Sequence, residues 1–166
     1  MILKRMKRRH LRHQAIELCE RLRAARPDVV FGADLIAGFP TETEEMFDNT
    51  LAIVDECDLT WLHVFPYSER PGTPAARIPN QVPKALRKER AGRLRAKGQM
   101  AEARFLDNQI GREAVVLFER NGIGRSEHFA PVRLETPVED GTLMTVRMTT
   151  VEDGLMKAVA LGEVAA

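Results

Sequence analysis

The chain has 166 residues, of which 44% are hydrophobic and 30% charged, and this composition is typical of a globular protein and excludes a disordered one. No run approaches the roughly 20 consecutive apolar residues of a membrane helix, so no membrane partner is expected. The basic N-terminus is not followed by the apolar core of a secretory signal, and the expected location is the cytoplasm.

The formal net charge of +1 conceals four segments of alternating sign. Residues 1–26 carry a net charge of +7, residues 27–83 carry −8, residues 84–104 carry +6 and residues 105–166 carry −4. Two basic segments therefore flank an acidic one, and such clustering favours contact with a polyanion such as a nucleic acid. The alternative is that each basic segment is simply a solvated helix face.

The first predicted element is a helix over residues 10–25, which ends before Pro27. Its predicted buried stripe consists of Leu11, Ala15, Leu18, Cys19 and Leu22. Cys19 and Cys57 are isolated from each other in the sequence, and neither has a further cysteine at the spacing of metal ligands. Both are therefore predicted to be buried thiols without a disulfide, and no metal site is predicted within the chain.

The stretch 29–47, VVFGADLIAGFPTETEEMF, predicts a strand that breaks into a loop and continues as a helix. Residues 29–37 are apolar apart from Asp34, which is typical of a strand covered on both faces. Asp34 is therefore predicted to be a buried carboxylate. Gly38 and Pro40 end the strand.

The helix that follows is predicted over about 43–56. Thr41 and Glu44 have the spacing of a capping box, in which each side chain satisfies a free backbone amide of the other. In α/β proteins, ligands bind at the loops that follow the carboxyl ends of the strands. The turn after residue 37 is therefore a candidate functional site.

A second strand is predicted over residues 59–67, LTWLHVFPY, and the alternation of helix and strand predicts parallel pairing. With a period of two, one face carries Asp34, Ile36, Gly38, His63, Phe65 and Tyr67, and the other carries Leu35, Ala37, Leu62 and Val64. The second set is predicted to lie under the helices, and the first to line a barrel interior or a cofactor cleft. Two alternatives are that His63 is an ordinary core residue and that Asp34, His63 and Tyr67 perform acid–base chemistry in an unrelated enzyme.

Residues 68–83 contain four prolines and are predicted to form an irregular loop. A helix over residues 84–106 follows, and its broken apolar stripe consists of Leu86, Arg90, Leu94, Met100 or Ala101, and Phe105. The remainder of this segment is strongly charged. It is therefore predicted to be a connecting helix with a basic outer face.

From Gly111 the hydrophobic period changes to two, which predicts four or five short strands in a small antiparallel barrel or sandwich. The predicted strands are GREAVVLFER, HFAPVRLE, TLMTVRMTTV and GLMKAVALG, separated by NGIGR, TPVEDG and EDG. Small barrels of this kind bind RNA through exposed basic and aromatic side chains, for which the candidates are Arg112, Arg125, Phe129 and Arg133. The alternative is a stabilising domain with scattered surface arginines.

Three motifs in the same order as in a known family connect these elements: LKRMKR (residues 3–8), DLIAGFPTETEEMF (34–47) and HVFPYSERPGTPAA (63–76). They resemble the later part of the radical S-adenosylmethionine domain of tRNA methylthiotransferases, in particular of those that act on threonylcarbamoyladenosine beside the anticodon. The tail over residues 111–161, with GRSEHFAPVRL inside it, resembles the TRAM domain that ends those enzymes and contacts tRNA. The resemblance covers nearly the whole chain.

This resemblance implies an α/β fold in three parts. The parts are the C-terminal part of a partial (β/α) radical S-adenosylmethionine barrel over residues 1–82, a connecting basic helix over 83–108, and a TRAM-like, OB-like RNA-binding β-barrel over 109–166. It also implies S-adenosylmethionine and a four-iron four-sulfur (4Fe-4S) cluster as cofactors. The implied reaction adds a methylthio group to C2 of a modified adenosine, threonylcarbamoyladenosine, next to the anticodon.

The resemblance also implies the residues that bind the cofactor: Arg8, Asp34, Ile36, Gly38, Phe65 and Tyr67. Ile36 and Gly38 match the strand motif that packs against the adenine, where a residue without Cβ lets the backbone approach. Asp34 is expected to accept a hydrogen bond from a cofactor donor. Arg8, or Lys4 in its place, is expected to meet the methionyl carboxylate.

Two features of the family do not occur in this sequence: the cluster motif C-x-x-x-C-x-x-C and the cysteine-bearing N-terminal domain. The chain is therefore expected to be a C-terminal fragment that carries no catalytic residue and is inactive alone. Its expected partners are tRNA and the missing N-terminal half of the enzyme, because a two-stranded parallel sheet cannot bury both of its faces. The alternative is a standalone tRNA- or RNA-binding protein without catalysis.

Overall fold

The computed structural model describes residues 2–119 and 122–163, and the chain divides into two compact units, Met1–Ala101 and Glu102–Ala166. The helices are α1 (Ile2–Arg5), α2 (Arg12–Ala25), α3 (Glu44–Glu56) and α4 (Lys84–Asp107), and a 3-10 turn covers Ala75–Arg77. The strands are β1 (Phe31–Ala37), β2 (Leu59–Pro66), β3 (Glu113–Phe118), β4 (Ile123–Ser126), β5 (Pro131–Leu134), β6 (Leu143–Glu152) and β7 (Leu155–Glu163). Among the described helices, none is both long and apolar enough to cross a membrane.

The first unit is built on a two-stranded parallel sheet of β1 and β2, as the alternation of helix and strand predicts. Helix α3 connects the two strands, and its side chains Phe47 and Val54 are fully buried. They belong to a core cluster with Leu94 of α4 and with residues from one face of the sheet. The face predicted to lie under the helices is the one that contributes to this core: Leu35, Ala37, Leu62 and Val64.

The opposite face of the sheet is largely exposed. Asp34 and His63 are exposed residues, and Ile36 and Phe65 are 38% and 52% exposed. The prediction that β1 is covered on both faces, with Asp34 buried, is therefore wrong for this chain. The apolar run of β1 signals two faces to be covered, whereas the described helices pack on only one of them.

Helix α2 packs on the core through only part of the predicted stripe. Cys19 of that stripe contacts the core, as does Ile16, which the prediction did not include. The predicted buried leucines, Leu11, Leu18 and Leu22, are 53%, 51% and 44% exposed. Arg12 pairs with Glu56 of α3 at 2.5 Å, between a guanidinium nitrogen and a carboxylate oxygen. Because this polar contact helps to set the rotation of the helix, the leucines lie on its flank.

Helix α4 is the long basic helix that the sequence predicts, but its cations face the acidic segment before it. The contacts are Arg87 with Glu69, Arg90 with Glu42 and Glu44, Arg93 with Glu44 and Asp48, Arg95 with the Val64 carbonyl, and Lys97 with Asp55. Five of these cations therefore have partners inside the unit, and the predicted basic outer face is reduced to exposed residues such as Lys84 and Lys88. At the end of the apolar stripe, Ala101 is buried and Met100 is 74% exposed.

Helix α3 is capped by Thr43, two residues after the predicted Thr41. The Thr43 hydroxyl accepts a hydrogen bond from the Met46 amide at 3.2 Å. Thr41 has a φ of 71°, accepts a hydrogen bond from Arg5 and donates one to the Pro40 carbonyl. Thr41 and Thr43 are both suitable cap residues, and only Thr41 has a glutamate three residues on, so the packing of the loop rather than the capping-box spacing selects the cap.

The two cysteines are neighbours in the fold, although the sequence separates them. Cys57, at the end of α3, is 2% exposed, and the Cys19 thiol of α2 lies close enough to influence its pKa. Burial raises the pKa of the Cys57 thiol to about 11, and Cys19 adds to the rise. Both are free thiols, and Cys57 is buried as predicted, whereas Cys19 is half-buried.

Cys57 is expected to resist alkylation in the native chain. A pKa of about 11 in place of 9.0 leaves about 100-fold less thiolate near pH 8. Mass spectrometry after iodoacetamide treatment should show Cys57 unmodified under native conditions and modified in urea. The Cys19→Ser variant serves as a control, because burial alone should keep Cys57 protected. Fast labelling of Cys57 in the native protein would contradict this burial.

The second unit contains a closed five-stranded barrel in the order β3-β4-β5-β7-β6, which confirms the predicted small barrel. The structure differs from the prediction in two respects. Strand β4 lies largely inside the segment NGIGR, which was predicted as a turn, and β5 pairs with β7 in parallel. Gly124 makes β4 possible, because a Cβ at this position would lie 2.4 Å from Val116 Cγ1 and 2.8 Å from the Leu117 carbonyl oxygen.

Candidate functional site

The exposed face of the β1–β2 sheet brings together four residues that the sequence places on one side. In the parallel register, Asp34 lies beside His63 and Ile36 lies beside Phe65. A carboxylate and an imidazole are therefore next to two exposed apolar side chains. Such a surface can pack a flat apolar group on Ile36 and Phe65 and offer the Asp34 carboxylate as an acceptor.

Gly38 does not continue this face, although the period-two pattern predicts that it does. Its φ of 76° turns the chain immediately after β1 ends. A Cβ on Gly38 would lie 2.6 Å from Cγ and 2.9 Å from Cβ of Arg87. The residue is buried, and the space that a side chain would need is filled by Arg87 of α4. Glycine is therefore required here for packing within the chain.

Tyr67 lies just beyond β2 and packs into the same loop cluster. Its ring meets the ring of Phe39 edge to face at a centroid distance of 5.2 Å, and the Arg87 guanidinium lies 5.0 Å from its centroid. Its amide donates to the Ala37 carbonyl at 2.8 Å. The hydroxyl is buried and has no hydrogen-bond partner among the described residues.

Arg87 joins the loops that follow β2, and sequence reasoning did not identify it as a site residue. It donates to the Val82 carbonyl at 2.6 Å, to the Tyr67 carbonyl at 3.3 Å and to the Glu69 carboxylate at 2.7 Å. Because it also fills the space above Gly38, one side chain of α4 contacts the loops after both strands.

Arg90 holds the loop after β1 from one turn further along α4. Its guanidinium donates to the Glu42 carbonyl at 3.0 Å and to the Glu42 carboxylate at 2.9 Å, and it reaches Glu44 at 2.9 Å. The Glu42 carboxylate also accepts a hydrogen bond from the Gly38 amide at 2.8 Å. The side chains of Arg90 and Glu42 are each 3% exposed. The only sequence signal for this pair is the opposite charge of the segments 27–83 and 84–104.

The pKa values of the two acids that contact Arg90, Glu42 and Glu44, shift in opposite directions. Burial raises the pKa of Glu42, although the Gly38 amide and Arg90 oppose the rise. The hydrogen bonds from Arg93 and Arg90 lower the pKa of the exposed Glu44. Burial therefore dominates for Glu42, and the arginine partners dominate for Glu44.

The N-terminal segment lies at the same edge of the sheet as these loops, because Arg5 donates to the Thr41 hydroxyl. Arg8, the residue expected to meet a carboxylate, is exposed, and its amide donates to the Leu3 carbonyl at 2.8 Å. Lys4, its alternative, is also exposed. Six residues are expected to bind a cofactor. Asp34, Ile36 and Phe65 share the open face of the sheet, Gly38 and Tyr67 contact Arg87, and Arg8 lies on the N-terminal segment.

The residues of the open face fit S-adenosylmethionine in chemical type. Ile36 and Phe65 offer apolar surface to an adenine, and Asp34 offers an acceptor to its hydroxyl or amino groups. The iron–sulfur cluster is a different case, because C-x-x-x-C-x-x-C does not occur in the sequence and the chain contains only two cysteines. The residues of this chain therefore do not fit a four-iron four-sulfur cluster.

The barrel brings together three of its four predicted RNA contacts. Arg125 of β4 and Arg133 of β5 point outward from neighbouring strands, and Arg125 donates to the Phe129 carbonyl at 3.1 Å. Phe129 is 69% exposed. Lys157 lies beside Arg133 in the parallel register, but it is half-buried and pairs with Glu152 at 3.4 Å. Arg112 is exposed but precedes β3, which is not adjacent to β5.

No protein-family model matches the chain. The threonylcarbamoyladenosine tRNA methylthiotransferase MtaB of Rickettsia prowazekii is 53% identical over 159 residues, which cover 96% of this chain and 38% of that protein. Two tRNA-2-methylthio-N(6)-dimethylallyladenosine synthases are also similar. That of Erythrobacter litoralis is 40% identical, with 99% of this chain and 38% of that protein covered, and that of Ruegeria pomeroyi is 42% identical, with 89% and 35% covered.

These matches extend along almost the whole chain, whereas the chain spans only about 38% of the length of the first two relatives. They confirm the resemblance that the three sequence motifs indicate. The chain is therefore a homologue of the tRNA methylthiotransferases and corresponds to a portion of such an enzyme.

Proposed function

We propose that this chain is the C-terminal portion of a tRNA methylthiotransferase that adds a methylthio group to C2 of threonylcarbamoyladenosine beside the anticodon. The observation that carries the proposal is the 53% identity to the Rickettsia prowazekii enzyme across 96% of the chain. The synthases named for dimethylallyladenosine are less similar, at 40% and 42% identity. This difference supports the threonylcarbamoyl base as the substrate.

In this proposal, the open face of the β1–β2 sheet is one wall of the site for S-adenosylmethionine. Ile36 and Phe65 pack against the adenine, Asp34 accepts a hydrogen bond, and Arg8 binds the methionyl carboxylate. Gly38 and Tyr67 act indirectly, because they shape the loops that border this face. Bound S-adenosylmethionine supplies the 5′-deoxyadenosyl group for the family's chemistry.

Catalysis by this chain alone is not part of the proposal. The family's reaction requires a cluster, and this chain has no cysteine set of the required spacing. The polypeptide that carries the cluster is therefore a proposed partner. Such a partner would also cover the exposed face of the sheet, where Phe65 is 52% exposed.

The second proposed partner is tRNA, bound in part by the barrel. Arg125 and Arg133 supply cations for phosphates, and Phe129 supplies an exposed ring on which a base can stack. Arg112, on a different part of the barrel, is proposed as a separate phosphate contact.

The full chain is expected to bind S-adenosylmethionine measurably, and Asp34→Asn should weaken binding about 10-fold. A hydrogen bond to an ionised carboxylate is worth about 1.5–3 kcal/mol, and asparagine keeps the shape without the charge. Isothermal titration calorimetry measures the change. Glu45→Gln is the matched control, since Glu45 is an exposed carboxylate of the same unit on α3, and its affinity should stay within about twofold of the wild type. Equal affinities for Asp34→Asn and wild type would remove Asp34 from the site.

A further inference from the structure

We propose that a basic rim at the carboxyl edge of the β1–β2 sheet binds the phosphate backbone of tRNA. The basic rim is defined as Lys4 and Lys7 of the N-terminal segment and Lys84 and Lys88 of α4. This inference rests on the proposed function and deepens it, because it names where the first unit contacts the RNA.

The two parts of the basic rim lie at the same edge of the sheet. The N-terminal segment is anchored there by the hydrogen bond from Arg5 to Thr41, in the loop after β1. Lys84 and Lys88 line a groove together with Pro66, the last residue of β2, and the two residues that follow it. Because β1 and β2 are parallel, their carboxyl ends meet at one edge. The cations of the basic rim therefore border the loops next to the proposed cofactor wall.

The cations of the basic rim are unpaired, unlike the arginines further along α4. All four are exposed, and none has an ion-pair partner among the residues that the structure describes. The arginines deeper along α4 instead neutralise the nearby acids: Arg87 pairs with Glu69, Arg90 with Glu42 and Arg93 with Glu44. Glu45 of α3 remains as an exposed acid in this region. The edge therefore keeps an excess of positive charge after its internal ion pairs are formed.

The barrel by itself supplies little positive charge for an RNA ligand. The segment 105–166 has a net charge of −4, and Glu119 and Asp140 line a cleft together with Arg125. Affinity for RNA depends strongly on neutralised phosphates, which favours a further cationic surface elsewhere in the chain. Exposed, unpaired lysines are suited to this role because their charge is free to replace the condensed counterions of the backbone.

Salt-dependent binding of fluorescently labelled tRNA by the full chain tests this assignment. Lys7→Gln and Lys88→Gln should each weaken binding about 5-fold near 0.1 M KCl and reduce the slope of log K against log salt by about 0.7–0.9. The combined variant Lys4→Gln/Lys7→Gln/Lys84→Gln/Lys88→Gln should lose about 100-fold. Thermal unfolding monitored by circular dichroism checks that each variant is folded.

Arg21→Gln is the matched control. Arg21 is exposed on the same basic segment of the sequence, but it lies in the second half of α2. This half is at the opposite end of the sheet, where Arg23 lies 5.0 Å from the ring of Phe31, the first residue of β1. Arg21→Gln should change the affinity less than twofold. Equal losses for Arg21→Gln and Lys7→Gln would overturn the inference, because the effect would then be net charge alone.

The result also separates this inference from the proposed function. Wild-type binding that is insensitive to the basic rim variants but lost in Arg125→Gln/Arg133→Gln would overturn the inference and leave tRNA as the partner. If the wild-type chain bound no tRNA, both the basic rim and the proposed RNA contact of the barrel would be wrong. The assignment of the cofactor wall is tested independently by the titration of Asp34→Asn.

Discussion

Glu42→Ala should destabilise the first unit by about 3–5 kcal/mol. The substitution removes the buried charge partner of Arg90 and leaves only the exposed Glu44, 2.9 Å away, and breaking a buried ion pair has a cost of this size. Arg90 and Glu42 are each 3% exposed, so solvent cannot replace the lost contact. The Gly38 amide loses its acceptor in the same step.

Urea unfolding followed by tryptophan fluorescence measures this loss in the correct unit. Trp61, on β2, is the single tryptophan of the sequence, so its signal reports the first unit. Asp55→Ala is the matched control, because it breaks another ion pair of α4, with Lys97 at 2.6 Å, in which Asp55 is 60% exposed. The control should cost less than about 1 kcal/mol. Similar losses for the two variants would show that the Arg90–Glu42 pair does not act as a buried one.

A double variant tests whether Arg90 and Glu42 stabilise the unit through their contact with each other. If the cost of Glu42→Ala comes from the arginine left without its buried partner, then Arg90→Met should cost less in the Glu42→Ala background than in the wild type. Additive losses from the two substitutions would indicate that each side chain stabilises the loop independently.

Gly38→Ala is the second substitution with a large expected effect, a loss of about 3 kcal/mol. A left-handed conformation costs an L-residue about 1–2 kcal/mol, and Gly38 has a φ of 76°. The new methyl group would also lie 2.6 Å from Arg87 Cγ and 3.0 Å from Arg87 Cα. Because the second atom belongs to the backbone of α4, the contact cannot be relieved by a rotamer change alone, and overpacking of this kind costs about 1–3 kcal/mol.

Gly72→Ala isolates the conformational part of this cost. Gly72 has a φ of 81° in the loop after β2, and no atom lies within 4 Å of the position that its Cβ would take. Its substitution should therefore cost only about 1–2 kcal/mol in the same fluorescence-monitored unfolding. Equal costs at the two glycines would mean that Arg87 moves aside. A smaller loss for Gly38→Ala in an Arg87→Ala background would support the packing explanation.

The local elements follow from short-range chemistry, so the sequence predicts them well. The hydrophobic run of β1, the Gly38–Pro40 break and the helical spacing of α3 each act within a few residues, and the structure contains all three elements. The change of period after Gly111 likewise predicts the barrel. Strand β4 was missed because its glycine and arginine resemble turn residues, and only the close approach to Val116 explains Gly124.

The wrong sequence predictions are those of which faces of α2 and β1 are buried. Periodicity shows that Leu11, Leu18 and Leu22 share one side of α2, but it does not show what that side contacts, and in this chain the three leucines are exposed. Asp34 is an exposed residue for the related reason that β1 has helices on one face only. Burial is a property of the assembled chain, so a pattern within one element cannot determine it.

Some features of the candidate site can likewise be predicted from the sequence, and others cannot. The sequence alone is enough to place Asp34, Ile36, His63 and Phe65 on one face, because alternation along a strand fixes which residues share a face. The register that puts Asp34 beside His63 and Ile36 beside Phe65 is known only from the structure. The sequence also determined the relationship to the tRNA methylthiotransferases, because the motifs occur in the family's order. Only the tertiary structure decided that Arg87 fills the space above Gly38, that Arg90 is buried with Glu42, and that the basic rim is left unpaired. These are contacts between residues far apart in the chain. Which acid a long arginine side chain pairs with depends on distance and burial in the folded chain, and a local sequence pattern does not show either.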